Sequence, residues 1–261
     1  MPKSKENIAI SNLQTLKENP YPGDGIIVGR SDSGRLVQVL WLMGENEKTR
    51  NRKFTIRGGY LNTSVKVEPI YDLGDEDQPH LTYNALRRCE RHHFVSNGET
   101  DSILKKYRDR RPRSYMDLPR ATEGIVHMPD APNYTPRIIG VTNEADRSVF
   151  FNNTAVLSVI SKDPISGIDS MRSYYEFSSL VPGFGVCAHT YDDFANEEPY
   201  PSFSKDPFLV PLLGDTNEIA QSIWEVLNPK NRVAIVVKTF LRYEKDEFKV
   251  IDDRSYKSLP E

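Results

Sequence analysis

The polar residues that could do chemistry fall in five short segments, most of them at the ends of apolar runs that we predict to be strands. A guanidinium group is planar and permanently charged, which suits arginine to binding phosphate, and a tyrosine hydroxyl can donate a proton or a hydrogen bond. Each segment alone also has a structural explanation, since Asn97-Gly98 is a favoured pair for a tight turn and Tyr83 fits a half-buried aromatic residue. The five segments are Arg30, Arg50–Arg52, Tyr83–Asn84, Ser96–Gly98 and Arg137.

Several common kinds of active site are excluded by the spacing of the residues. The sequence has no GxxxxGK[ST] phosphate loop and no GxSxG nucleophile elbow, and Gly23, Gly25 and Gly29 do not keep the GxGxxG spacing of a dinucleotide site. Cys89 with His92 or His93 makes at best half of a zinc site. We therefore predict no metal and no cofactor. The sequence begins Met-Pro, so we also expect no N-terminal nucleophile.

Composition indicates a folded protein in a reducing compartment. The 261 residues are 38% hydrophobic and 27% charged, with a formal net charge of −3, so neither a disordered chain nor a strongly basic coat protein fits. We find no secretory signal and no apolar run near the roughly 18 residues of a membrane span. The sequence has only two cysteines, which fits the reducing cytoplasm. We therefore predict a cytoplasmic protein, and the lack of a long apolar run predicts that it does not bind a membrane.

One segment departs from this acidic balance. Residues 87–120 contain ten Lys and Arg but only five Asp and Glu, and the densest part is 107–113. A nucleic-acid-facing patch that uses Arg108 to Arg113 is one interpretation; a solvated helix end and loop is the one we favour. We therefore predict no nucleic-acid partner.

Extended segments dominate the predicted secondary structure. Segments 25–30 and 35–43 read as a hairpin around Asp32 and Gly34, and Pro69 indicates that strand 65–71 lies at a sheet edge. Nine or ten predicted strands are more than one small sheet can hold, so we expect two sheets packed face to face. The other predicted strands are 94–97, 137–141, 148–151, 155–160, 183–191, 233–243 and 247–251.

Three helices are predicted, and the clearest covers residues 215–227. Asp215 and Glu218 form a capping-box pattern at its start, and Asn228-Pro229 ends it. The other two helices are 8–19 and 99–107, whereas the proline-containing stretch 191–207 reads as a surface loop.

Taken together in this order, the segments resemble a known family. The motifs VSNGETD (95–101), TYN (82–84), GIIVGRSDSGR (25–35), RNR (50–52) and NYTPRI (133–138) are similar to those of the archaeal-type IMP cyclohydrolases and their bacterial relatives. No single motif is specific, but the ordered set is, and it covers roughly residues 20–245.

The resemblance implies a fold and a reaction. The fold would be α+β, a four-layer α-β-β-α sandwich like that of the N-terminal-nucleophile hydrolases but without the terminal nucleophile, in a single domain over 1–261. The reaction would be the dehydrative ring closure of formylated aminoimidazole-carboxamide ribotide to IMP in purine biosynthesis. A purine ribotide would be the substrate, no metal or cofactor would be needed, and we expect a homo-oligomer.

The resemblance also assigns roles to residues of this chain. Arg52 and Tyr83 match the catalytic positions. The positions that match substrate-binding residues are Arg30, Asn51, Asn84, Asn97, Gly98 and Arg137.

Two departures from the family bear on catalysis. Met128 stands where relatives carry the glutamate that is the candidate general base, and Glu45 stands near a position where relatives carry arginine. Glu123 or Asp130 could substitute for the missing carboxylate. The alternative interpretation is a purine-ribotide-binding protein on the same fold that has no catalytic activity.

Overall fold

Two antiparallel sheets make up most of the part of the chain that the structure, a computed structural model, describes: residues 4–59, 63–72, 82–109, 121–144, 154–192 and 199–253. The strands of the six-stranded sheet, in spatial order, are β11 (Phe208–Pro211), β10 (Phe184–His189), β1 (Gly25–Arg30), β2 (Leu36–Met43), β12 (Arg232–Phe240) and β13 (Glu247–Asp252). The strands of the seven-stranded sheet follow chain order and are β3 (Lys53–Arg57), β4 (Ser64–Glu68), β5 (Tyr83–Cys89), β6 (His92–Ser96), β7 (Arg137–Asn143), β8 (Thr154–Lys162) and β9 (Ser170–Phe177).

Strand β2 shows how the sequence builds two cores at once. Successive side chains of a strand point to opposite faces, and every residue of β2 is buried. Leu36, Leu40 and Leu42 pack between the two sheets, whereas Val39 and Trp41 pack on the outer face of the six-stranded sheet. The prediction of two sheets packed face to face is confirmed.

Helices cover the outer faces of both sheets. Helices α1 (Lys5–Glu18) and α4 (Thr216–Val226) lie on the six-stranded sheet, and α3 (Asp101–Asp109) lies on the seven-stranded one. Asp215 and Glu218 form the predicted capping box of α4. A four-residue helix, α2 (Glu47–Arg50), follows β2. The predicted α+β class is thus confirmed, and none of the described helices could span a membrane.

One strand prediction was wrong, and one lies outside the described residues. The strand around residues 65–71 is not at an edge, because β4 ends at Glu68, before Pro69, and pairs with both β3 and β5. Pro69 therefore removes no hydrogen bond from the sheet. The predicted strand 148–151 and most of the basic segment 108–113 are among the residues that the structure does not describe.

A buried polar network joins the two sheets. Lys238 Nζ of β12 donates to His93 Nδ1 of β6 at 2.7 Å, and His93 Nε2 lies 2.9 Å from Glu144 Oε1. Lys238 also pairs with Asp246 at 2.9 Å, and Arg88 with Glu144 at 3.2 Å. Since Nδ1 accepts from an ammonium group, His93 is neutral and donates through Nε2 to Glu144.

His93 in this network predicts a loss of stability in acid, an effect that Glu144 opposes because burial raises the pKa of its carboxyl. Burial, with smaller contributions from Lys238, Arg88 and His92, holds the pKa of His93 well below its ordinary value. The unfolded chain therefore binds this proton first, and stability that is present above about pH 6.5 is lost as the pH falls below it, by up to about 1.4 kcal/mol per pH unit. Urea unfolding at pH 7.5 and pH 5 measures the loss. We expect it to be smaller in His93→Gln, and an equal loss in both proteins would contradict the assignment.

Candidate functional site

A cavity of about 680 Å³ opens beside the start of β1 and the end of β2. Ligand sites commonly have volumes of about 300–1,000 Å³, so the cavity is large enough for a nucleotide. Three of the residues that matched the family line it, together with carboxylates, a lysine and several tyrosines. The lining includes Tyr21, Asp24, Glu45, Lys48, Arg52, Tyr83, Asn97, Met128, Asp130, Thr135, Tyr191 and Tyr200.

Arg52 is held in the cavity wall by a buried carboxylate. Its two terminal nitrogens bind Asp24 at 2.9 and 3.2 Å, and its other bonds go to the carbonyls of Thr49 at 2.8 Å and Met43 at 2.7 Å. Burial alone would lower the pKa of Arg52, but Asp24 raises it above the ordinary value. Four of the five N–H donors of a guanidinium are thus engaged, which leaves one N–H for a ligand.

Tyr83, the first residue of β5, presents a buried hydroxyl beside the Arg52 side chain. Burial, and to a smaller extent Asp24, raises its pKa well above the ordinary value, against the opposing charges of Arg52 and Arg137. The phenol therefore stays protonated at neutral pH. It is suited to donate a hydrogen bond to a ligand oxygen rather than to release its proton.

Asn97 fixes the backbone at the edge of the cavity. Its Nδ2 donates to the Pro136 carbonyl at 2.9 Å, and its Oδ1 accepts from Ile138 N–H at 2.8 Å. These bonds join the end of β6 to the start of β7. The side chain is therefore committed to the protein, and its contribution is to hold the chain beside it in place.

Gly98 and Arg137 lie immediately beside this point. A Cβ on Gly98 would lie 3.5 Å from Arg137 Nη1 and 3.6 Å from Met128 Cε. Burial lowers the pKa of Arg137, while Glu99 and Tyr83 oppose that shift. The Arg137 Nε atom is buried and has no hydrogen-bond partner in the described part of the chain. Arg137 is half-buried and lies beside the cavity rather than in its lining, and its guanidinium is chemically suited to bind an anion.

Three residues assigned by resemblance have their contacts away from the cavity. Arg30 is at the opposite end of β1 from Asp24, where its Nε donates to the Gly34 carbonyl at 2.8 Å. Asn51 is 1% exposed and bonds to the backbone of Ile70 and Tyr71.

The third, Asn84, follows Tyr83 on β5, so its side chain points to the other face of the sheet. There its Nδ2 donates to Asp101 at 2.7 Å. That these three residues bind substrate stays a prediction.

Both departures from the family are at the cavity. Met128 and Glu45 line it, and Glu45 Oε2 accepts from the Tyr200 hydroxyl at 2.5 Å. Of the two carboxylates that could replace the missing glutamate, Asp130 lines the cavity and Glu123 does not.

An aromatic wall, formed by Tyr21, Tyr191 and Tyr200, was not predicted. The ring centroid of Tyr21 lies 5.8 Å from that of Tyr191 and 5.0 Å from that of Tyr200, and Tyr191 and Tyr200 are 5.1 Å apart. The interpretation of 191–207 as a surface loop was wrong at Tyr191 and Tyr200, which are only 6% and 7% exposed. The tyrosines at these two positions were the sequence signal from which a buried aromatic wall could have been predicted.

Comparison with known protein families finds a match over most of the chain. Comparison with curated proteins finds no match. A model of the family described as IMP cyclohydrolase-like protein matches residues 21–247, a range that includes every residue of the cavity wall named above. The chain belongs to the IMP cyclohydrolase-like protein family.

Proposed function

We propose that this protein closes the second ring of formylated aminoimidazole-carboxamide ribotide to form IMP. The observation that carries the proposal is the meeting of Arg52, Tyr83 and Asn97, from three separate motifs, at one cavity of nucleotide size. Family membership supports the same reaction class.

The reaction mainly requires that two groups of one molecule be held together. The carboxamide nitrogen is a weak nucleophile and must attack the formyl carbon, and intramolecular positioning can contribute roughly 7–11 kcal/mol to such a step. The protonated Tyr83 hydroxyl, with the remaining N–H of Arg52, is suited to bind the formyl oxygen as negative charge develops on it. The aromatic wall offers faces for the heterocycle.

The direct test is turnover of the purified protein. We expect the formylated ribotide, incubated with the protein and a metal chelator, to give the absorbance of IMP at a rate above that of the buffer. Absence of IMP formation would contradict an enzymatic function.

Met128 favours a second candidate, a purine-ribotide-binding protein without turnover. Methionine can pack against a ligand but cannot accept the proton that ring closure releases. This candidate predicts that IMP raises the melting temperature, because a ligand that binds only the native state stabilises it, while no IMP forms from the precursor. The same two measurements therefore distinguish the candidates, and an unchanged melting temperature with millimolar IMP contradicts both.

Arg137 is expected to bind the phosphate of the ribotide. Charge-assisted hydrogen bonds contribute about 1.5–3 kcal/mol, so we expect Arg137→Met to raise the Kd of IMP by roughly 10-fold to 100-fold. Binding of inosine, which lacks the phosphate, should change little. The matched control is Arg30→Met, since Arg30 lies at the far end of β1. Calorimetric titration measures both, and an equal loss in Arg30→Met would contradict the assignment.

A further inference from the structure

We propose that Asp130 receives the proton released in ring closure, through the hydroxyl groups of Thr135 and Tyr191. We call these three residues the relay. This inference rests on the proposed function and assigns to the relay the role that a carboxylate at position 128 would otherwise have. All three residues line the same cavity as Tyr83 and Met128.

The hydrogen bonds of the relay run in one direction. Asp130 Oδ1 accepts from the Thr135 N–H at 2.7 Å, and Oδ2 accepts from the Thr135 hydroxyl. The Tyr191 hydroxyl lies 2.5 Å from Thr135 Oγ1. A carboxylate can only accept, so the single Thr135 proton points to Asp130, and Tyr191 must donate to Thr135. A hydroxyl oxygen that donates its proton can still accept, and Tyr191 lines the cavity where a ligand would lie.

The surrounding backbone holds the relay in place. The loop from Asp130 to Thr135 is closed by hydrogen bonds from Tyr134 N–H to the Asp130 carbonyl at 3.0 Å and from Met128 N–H to the Thr135 carbonyl at 2.9 Å. Tyr191 N–H donates to the Pro22 carbonyl at 3.1 Å, and the Tyr191 ring stacks on Tyr21. A positioned base needs this kind of fixed geometry.

The proton transfers balance over the two steps of the reaction. As the carboxamide nitrogen bonds to the formyl carbon, its proton passes to the Tyr191 oxygen, the Tyr191 proton to Thr135, and the Thr135 proton to Asp130. The electron pair of the formyl C=O bond moves to its oxygen, which keeps a hydrogen bond from Tyr83. When the C–O bond then breaks, this oxygen leaves as water with the proton from Asp130 and the proton of the former formamide nitrogen, and the carboxylate is restored.

Two other carboxylates line the cavity, but Asp24 is held by Arg52, so Glu45 is the competing acceptor. It is bound directly by the Tyr200 hydroxyl at 2.5 Å, and it comes from the loop between β2 and α2. Asp130, in contrast, accepts two hydrogen bonds from Thr135, and the Thr135 hydroxyl connects it to a second cavity residue, Tyr191. We therefore assign the role to Asp130, and the variant Glu45→Gln tests the alternative.

The test measures single-turnover cyclisation of the formylated ribotide in parallel with IMP affinity. We expect Thr135→Val and Tyr191→Phe each to slow the chemical step by about 10²–10⁴-fold, with the Kd of IMP changed less than tenfold. The matched control is Tyr174→Phe, because the Tyr174 hydroxyl also pairs with a threonine, Thr122, at 2.8 Å but does not line the cavity. It should keep the wild-type rate.

The variant Asp130→Asn separates the relay from a purely structural role. Asparagine can still accept from the Thr135 N–H but cannot take up a proton at neutral pH, so cyclisation should be slow while the Kd of IMP changes less than tenfold. Full activity in Thr135→Val and Tyr191→Phe, or a large loss in Glu45→Gln with Asp130→Asn active, overturns the relay while leaving the proposed function intact. A wild-type protein that binds IMP without turnover overturns the relay and the enzymatic function together and favours the second candidate, and one that does not bind IMP overturns both candidates.

Discussion

Arg52→Ala is expected to destabilise the protein by about 3–5 kcal/mol, the usual cost of removing one partner of a buried ion pair. Asp24 would remain buried without its cation, and its carboxylate also accepts from Met43 N–H at 2.9 Å. The carbonyls of Thr49 and Met43 would lose a donor too. Urea unfolding at neutral pH measures the change, and cyclisation should fail in the same variant because the cavity wall is lost.

The matched control is Arg57→Ala, another arginine paired with a carboxylate. Arg57 binds Glu68 at 2.8 Å, but its side chain is 57% exposed, against 8% for Arg52. Exposed pairs contribute about 1 kcal/mol or less, so Arg57→Ala should unfold close to the wild type. Similar losses of unfolding free energy in the two variants would show that burial of the Arg52–Asp24 pair does not determine its contribution to stability.

Local signals in the sequence were enough to predict the elements whose ends are marked by turn or capping residues. The hairpin of β1 and β2 follows from two apolar runs around Asp32 and Gly34, and helix α4 follows from its capping box. The ordered motifs also predicted that Arg52 and Tyr83 belong to one site, and both line the same cavity. The resemblance made this possible because it carries information about distant segments that no single segment contains.

The strands that sequence analysis missed are those with few buried residues or many charges. Strand β9 lies at a sheet edge and has no fully buried residue, and β5 carries Arg87 and Arg88 where apolar alternation would be expected. In both, pairing with neighbouring strands decides the conformation, and propensity has little weight.

The missed parts of the site depend on contacts between distant segments. Asp24 has its role only because Arg52, 28 residues away, folds against it, and the aromatic wall joins Tyr21 to residues near 191 and 200. Conversely, the resemblance assigned Asn84 to substrate binding but gave no direction for its side chain. Alternation along β5 places the Asn84 side chain on the opposite face of the sheet from that of Tyr83. That residues 1–261 form a single domain stays a prediction.

Met128→Glu is expected to restore cyclisation to a protein whose relay has been broken. Met128 Cε and Arg137 Nη1 both lie within 3.6 Å of the point where a Cβ on Gly98 would be, so a carboxylate at position 128 would lie near the Arg137 guanidinium. A neighbouring cation keeps a carboxylate charged, and a charged carboxylate can accept the carboxamide proton directly. In the Thr135→Val background, Met128→Glu should therefore raise the rate by up to about 10²–10⁴-fold, the range of general base catalysis.

The control for this prediction is Met128→Gln in the same background, since glutamine has a similar size but does not accept a proton at neutral pH. The rate constant is measured in single turnover, and IMP affinity is measured beside it, because the introduced carboxylate could also compete with the phosphate for Arg137. A gain confined to the glutamate variant would mean that the relay and the family's carboxylate are alternative acceptors for one proton. Equal rates in the glutamate and glutamine variants would contradict this, because a base placed beside the reacting nitrogen would then have nothing to contribute.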